Sequence, residues 1–194
     1  MISSIILAAG ESRRMGRAKA LLDWGGEPLL SYEVRQLREA GVDEVIVVLG
    51  ARADEIHREI RRADCRVMLN ARYHAGRAGS LRIGAKASNR DADAILVMNV
   101  DQPRPADFLR QLLEAHQPES AATVPSWNGH HGHPVVVSGR LRGELLEAKD
   151  ENQGLKGILH AHEGELANVT CDDLCEVDIN TPDDYEAAKR RFGL

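Results

Sequence analysis

The residues of this chain best suited to chemistry begin in one early segment, Leu7-Ala8-Ala9-Gly10-Glu11-Ser12-Arg13-Arg14-Met15-Gly16-Arg17-Ala18-Lys19, which continues a short apolar run from Ile2 to Ala8. Glycines permit backbone conformations that turn several amide N–H groups toward one anion. Arg13, Arg14, Arg17 and Lys19 add positive charge. A triphosphate needs that combination. The spacing excludes two common phosphate motifs. Gly10 and Gly16 are not followed by Lys-Ser or Lys-Thr, as a P-loop requires, and the three-glycine dinucleotide fingerprint is missing. Taken alone, a solvated basic turn competes with phosphate binding as the reading of this segment.

Two acidic positions lie far along the chain. Asp101 follows the apolar run Ala94 to Met98 and precedes Gln102-Pro103; Asp178 ends a later run and is followed by Asn180. A carboxylate at the carboxyl end of a parallel strand stands where ligands enter such sheets. Two oxygen-bearing side chains suit Mg²⁺, which keeps few protein ligands and fills its shell with phosphate and water oxygens. Helix capping is the competing reading. It takes Asp183 and Asp184, but Pro103 and Pro105 delay the helix after Asp101. The loop Trp127-Asn128-Gly129-His130-His131-Gly132-His133-Pro134 carries three histidines too close together to define a zinc geometry. His130 and His131 read as exposed loop residues. His133 reads as part of a structural turn before the strand at 134–138.

These groups need a frame. The order predicts strands at 2–8, 44–49, 66–70 and 94–98, alternating with helices at 28–40, 54–62, 79–88 and 105–115, hence a mainly parallel sheet covered on both faces. The second half is more irregular. It predicts strands at 121–125, 134–138, 166–170 and 174–178, helices at 140–148 and 155–161, and a helix opening at Thr181-Pro182, where Thr181 caps and Pro182 takes the first turn. No linker or repeat interrupts the 194 residues, so one domain over 1–194 is expected. A net charge of −5 argues against a nucleic-acid partner. No apolar run reaches transmembrane length, and the start lacks a signal-peptide pattern, so a cytoplasmic location without a membrane partner is expected. Cys65, Cys171 and Cys175 form no disulfide framework by count, and without a second pair Cys171 and Cys175 make a poor zinc site.

Leu7-Ala8-Ala9-Gly10, Ser12, Arg13-Arg14-Met15-Gly16 and Lys19 resemble the signature loop of the molybdenum cofactor nucleotidyltransferases. Gly79-Ser80-Leu81-Arg82, Asp101-Gln102-Pro103, Gly132-His133-Pro134-Val135 and Asp178-Ile179-Asn180-Thr181-Pro182 resemble that family too, in family order and over nearly the full chain. The resemblance implies a three-layer, Rossmann-like α/β fold of the glycosyltransferase-A type, with a mainly parallel mixed sheet. A loop opening Leu-Ala-Ala-Gly resembles the cytidylyl branch, where the guanylyl branch has Leu-Ala-Gly-Gly. The implied activity is transfer of CMP from CTP to the phosphate of a molybdopterin-type acceptor, with loss of pyrophosphate and a molybdenum hydroxylase as recipient of the product. The implied cofactor is Mg²⁺ on Asp101 and Asp178, with Asn180 rivalling Asp178. Lys19 would contact the triphosphate near the reacting centre and Arg13 its β- and γ-phosphates, with Asp101 completing the catalytic set. Leu7, Ala8, Ala9, Gly10, Ser12 and Gly16 would form the nucleotide loop. Ser80 and Leu81 would approach the base or ribose, although Leu81 reads equally as core. His133 and Gln102 would face the acceptor, and Arg77 could lie on the same side. His131 stands where the family often has arginine, and Lys156 is a loose match to a family arginine. Two competing functions are a nucleotidyltransferase of this fold acting on a sugar phosphate or using GTP, and a non-catalytic nucleotide-binding regulator or cofactor chaperone.

Overall fold

The computed structural model describes residues 1–194. Four parallel strands, Ile2–Ala8 (β1), Glu44–Leu49 (β2), Arg66–Leu69 (β3) and Ala94–Asn99 (β4), alternate with helices Leu29–Glu39 (α1), Ala53–Glu59 (α2), Arg77–Ala87 (α3) and Ala106–Glu114 (α4). Ala122–Trp127 (β5), His130–His131 (β6), Val135–Ser138 (β7) and Leu166–Thr170 (β8) complete an eight-stranded sheet ordered β3-β2-β1-β4-β7-β5-β6, with β8 on β5. Helices Arg142–Leu146 (α5), Leu155–Ala161 (α6) and Pro182–Phe192 (α7) finish the chain. β7 runs antiparallel to both β4 and β5, so the sheet is mixed, as expected.

The central strands are apolar on both faces because both are covered. Ile6, Val47, Leu96 and Met98 point to a core shared with Leu30, Val34 and Leu37 of α1 and Leu109 and Leu112 of α4. Ile5, Ile46, Ile95 and Val97 face the other way, onto Ala78, Leu81 and Ala85 of α3. Each such aliphatic side chain contributes about 1.5–3 kcal/mol by leaving water. Three layers result. A third, smaller core gathers Met15, Trp24, Leu29, Ile179 and Tyr185, and so ties the glycine-containing loop to α7.

Three expectations are corrected. His130–His131 is a strand, not a loop: Asn128 and Gly129 adopt φ values of 49° and 80°, the left-handed pair that makes a tight hairpin between Trp127 and His130. Residues 174–178 are not a strand. The Asp172 side chain accepts from Leu174 N at 2.9 Å and its carbonyl from Cys175 N at 3.2 Å, closing a helical turn over Asp173–Glu176. That turn brings Cys171 and Cys175 together as a disulfide, Cα atoms 6.5 Å apart, and leaves Cys65 as the free thiol.

Candidate active site

The carboxyl ends of the parallel strands converge on the early loop. Ala51 N, just past β2, donates to Ala9 O at 3.1 Å, and Val100 N, just past β4, donates to Leu7 O at 3.2 Å. The loop itself bends twice through left-handed backbone, at Ser12 (φ 53°) and Gly16 (φ 68°). Ser12 Oγ accepts from Lys19 N at 3.2 Å, which folds the far end of the loop back over its start. The result is a cleft of about 270 Å³. Leu7, Ala8, Ala9, Gly10 and Ser12 line one side of it. Arg13, Arg14, Lys19, Ser80, Asp101 and Asn180 close the rest.

Inside the cleft the opposite charges meet. Lys19 Nζ lies 2.8 Å from Asp101 Oδ2 and 2.9 Å from Asn180 Oδ1. Arg14 Nη2 donates to the same Asn180 oxygen at 2.9 Å. Ile179 N donates to Asp101 O at 2.8 Å, so the 178–180 segment is stitched directly to the end of β4. Arg13 instead turns to solvent and pairs with Glu11. Asp178 is accessible as a residue, yet partial burial of its carboxyl and then the neighbouring Asp101 carboxylate push its pKa up. A carboxylate raised by a neighbouring carboxylate in this way is the arrangement a bound cation relieves. No third His, Cys, Asp or Glu joins them in a closed metal cage. Asp101 and Asn180 line the cleft, whereas Asp178 lines neither cleft. Oxygen donors alone and few in number fit Mg²⁺ or a similar hard cation and not a structural zinc.

A second cleft of about 600 Å³ adjoins the first and shares Leu7, Arg77 and Asn99 with it. His133 lines it, with Nδ1 buried and unpaired. Burial, then the Arg104 and Arg77 charges, hold that imidazole below its usual pKa and therefore neutral. Leu81 is buried in the core and reaches only this second cleft; Gly16 turns the loop without lining either. Gln102 lines neither cleft: its Oε1 accepts from Asn99 Nδ2 at 2.9 Å, so it orients an amide that borders both. His130 and His131 are exposed.

A glycine-containing loop and the Asp101 carboxylate beyond β4 around one cleft constrain the family, and comparison with known proteins decides it: the profile of the MobA-like NTP transferase domain matches residues 4–166. The chain belongs to the MobA-like NTP transferase family. It is a nucleotidyltransferase-family enzyme. Among relatives of similar sequence, a nicotine blue oxidoreductase of Paenarthrobacter nicotinovorans is 28% identical, covering 100% of this chain and 96% of its own. A molybdenum cofactor cytidylyltransferase of Escherichia coli (strain K12) is 26% identical over 98% and 97%. A molybdenum cofactor guanylyltransferase of Xanthomonas euvesicatoria pv. vesicatoria is 28% identical over 94% and 92%. Among solved structures, a nucleotidyl transferase from Methanothermobacter superposes with a TM-score of 0.84 at 28% identity, covering 99% and 97% of the two chains. A manganese complex of Rv0371C from Mycobacterium tuberculosis H37Rv gives 0.79 at 25% identity, over 96% of each.

Within this MobA-like frame, the sequence reading passed over three polar residues, Arg104 and Asn70 buried and Asn99 half-buried. Arg104 has no exposed surface. Its guanidinium donates to the carbonyls of His133 (3.1 Å), Pro103 (2.8 Å), Val177 (3.1 Å) and Cys175 (2.9 Å). Burial pushes its pKa down to about 10. Asn99 borders both clefts, and Asn70 lies behind Ser80. No local pattern marks these positions. The one cue was the unusual placement of an arginine between Pro103 and Pro105.

Proposed function

We propose that this MobA-like enzyme transfers CMP from CTP to the phosphate of molybdenum-molybdopterin and releases pyrophosphate, with the whole of 1–194 as one nucleotidyltransferase domain. One observation carries the reading. Lys19 Nζ sits 2.8 Å from Asp101 and 2.9 Å from Asn180, so the early cationic loop and the distant acidic segment meet at one cleft. The similarity to a cytidylyltransferase along nearly the full chain supports the acceptor class, and Ala9, a methyl-bearing residue on the cleft wall, supports the cytosine base over guanine.

The acceptor phosphate is already an ionised nucleophile. Its oxygen attacks the α-phosphorus of CTP as the bond to the β-phosphate oxygen breaks, and no general base is required. Catalysis then rests on positioning and charge neutralisation. The amides of Ala8, Ala9 and Gly10 cradle phosphate oxygens. Lys19 transfers its hydrogen bond from Asp101 to the triphosphate near the reacting centre. Arg13 swings from Glu11 to the β- and γ-phosphates. Asp101 and Asp178 would hold Mg²⁺, with Asn180 the rival second ligand, and a bound ion would supply neutralising charge for the pyrophosphate leaving group. Ser80 meets the base. His133, neutral and with an unpaired nitrogen, faces the acceptor with Arg77, while Gln102 acts there through Asn99. A molybdenum hydroxylase would receive the product, in the cytoplasm; no helix here is long and apolar enough to cross a membrane.

The test is pyrophosphate release from CTP or GTP, with and without the pterin acceptor and with and without Mg²⁺. Release that requires CTP, the pterin and Mg²⁺ together is expected. Turnover with GTP alone, or with a sugar phosphate and not the pterin, replaces the reading with another member of this fold. Tight nucleotide binding without Mg²⁺-dependent turnover points to a regulator or chaperone.

A further inference from the structure

Ser80, on the wall of the nucleotide cleft, and Asn70, behind it, form a buried pair, 5% and 3% exposed. Asn70 Nδ2 lies 2.9 Å from Ser80 Oγ, and Asn70 Oδ1 lies 3.0 Å from Arg72 N. The second contact settles the direction of the first. A backbone N–H can only donate, so the atom facing Arg72 N must be the amide oxygen, and the atom facing Ser80 must be the NH₂ group. Asn70 therefore donates to Ser80. The Ser80 oxygen accepts, and its own hydroxyl hydrogen must point elsewhere. No protein acceptor takes it. The contrast is Ser88 at the end of the same helix, whose hydroxyl donates to Ala85 O at 2.8 Å. Ser80 lines the cleft, so its hydroxyl hydrogen is left for an acceptor on a ligand bound there.

We propose that Asn70 is a positioning residue for base selection: by donating to Ser80 it makes the Ser80 hydroxyl a donor to the base, which favours the acceptor edge of cytosine. Cytosine presents N3 and O2 as neighbouring acceptors. The corresponding edge of guanine presents the N1 and N2 hydrogens, and two donors facing one another leave both unpaired in a buried site. Asn70 touches no nucleotide and lines neither cleft, so its effect must pass through Ser80. The inference rests on the cytidylyl reading and deepens it.

The experiment is equilibrium binding of CTP and GTP to the wild type, Asn70→Asp, Ser80→Ala and the double variant. A carboxylate at position 70 still accepts from Arg72 N, but it also accepts from Ser80 and draws the hydroxyl hydrogen away from the base. Both nucleotides carry the same triphosphate, so the ratio of their Kd values cancels the repulsion of the added charge. The wild type is expected to favour CTP. Asn70→Asp should cut that preference about tenfold, the scale of one lost hydrogen bond to the base. Ser80→Ala should cut it similarly, and the double variant no further than either. An Asn70→Asp ratio equal to the wild-type ratio, or one that shifts as much in the Ser80→Ala background, overturns the inference. Should Asn70→Asp fail to fold, Ser80→Ala decides, since an unchanged ratio removes the donor. A wild type that binds GTP more tightly than CTP overturns the functional reading and this one with it. A wild type that favours CTP while the variants leave the ratio unmoved overturns this one alone.

Discussion

Lys19 is held in the cleft by two oxygens, one charged and one neutral, and its side chain is only 11% exposed. Such an ammonium is aimed before substrate arrives, which is what makes a fixed charge useful in a transition state. Lys19→Ala is expected to lower kcat by about 100-fold, the scale of one preorganised electrostatic contact, with a smaller rise in KM for CTP. Steady-state pyrophosphate release measures both. A kcat within threefold of wild type would remove Lys19 from the reaction. Lys19→Arg should recover little, because a planar fork cannot occupy the point between Asp101 and Asn180 that a compact ammonium fills. Arg13 invites a different expectation. Paired with Glu11 on the outside of the loop, it reaches a bound triphosphate only after that exposed pair opens, and an exposed pair opens at little cost.

The glycine-containing loop owes its position to the elements beside it, and Gly50 is the tightest of these contacts. A Cβ at Gly50 would meet Tyr73 Cβ at 2.5 Å and the Ala9 carbonyl at 2.7 Å. Gly50→Ala is therefore expected to cost about 1–3 kcal/mol in stability and, by displacing Ala9, to weaken CTP binding as well. Chemical denaturation and nucleotide titration check the two effects, and normal affinity in a destabilised variant would separate the loop from this contact. At this scale the sequence was most readable where both faces of a strand are buried. The runs at β1, β2 and β4 have no other reading once helices alternate with them. It failed at residues 174–178, whose apolar composition suits a strand. The Asp172 side chain offers the backbone a competing turn there, and one hydrogen bond decides between the two. The α5–α6 region gives a pH-dependent case. His162 Nε2 lies 2.9 Å from Glu144 and Nδ1 3.1 Å from Glu165, and those two carboxylates raise its pKa above the ordinary 6.5. A raised folded-state value means the contribution is complete below the unfolded value and fades as pH rises through the folded one. His162→Gln should thus lower Tm by a degree or two near pH 6, roughly what an exposed pair is worth, and by less at pH 9. An equal gap at both pH values would show that charge plays no part.

Across the whole molecule, the cleft position of Asp101 was legible because the end of a parallel strand in an α/β sheet has a known address, whereas Asp178, at the other end, follows a helical turn and lines neither cleft. What joins those ends was not legible. Asp101 and Asp178 are 77 positions apart, by subtraction of their numbers, and nothing local says that one arginine binds the segments between them together. Arg104 reaches the loop before α4, the approach to β7 through His133, and the 175–177 segment that leads into Asp178. It thereby ties His133, which lines the second cleft, to the segment that leads into Asn180 of the first. Arg104→Lys keeps the charge but removes the planar fork. A lysine ammonium cannot reach four carbonyls spread around a guanidinium, so several buried acceptors lose their donor at about 1–3 kcal/mol each. The expected loss is about 3 kcal/mol or more, a fall in Tm of roughly 6–12 °C for a chain of this size. The functional signature follows from the same geometry. Well below that Tm, where the variant is still folded, affinity for both CTP and the pterin acceptor should fall together, because the two clefts share the clamp. Thermal unfolding and separate titrations of the two ligands provide the check. A variant that loses one affinity and retains the other would mean that the two clefts are held by independent parts of the fold.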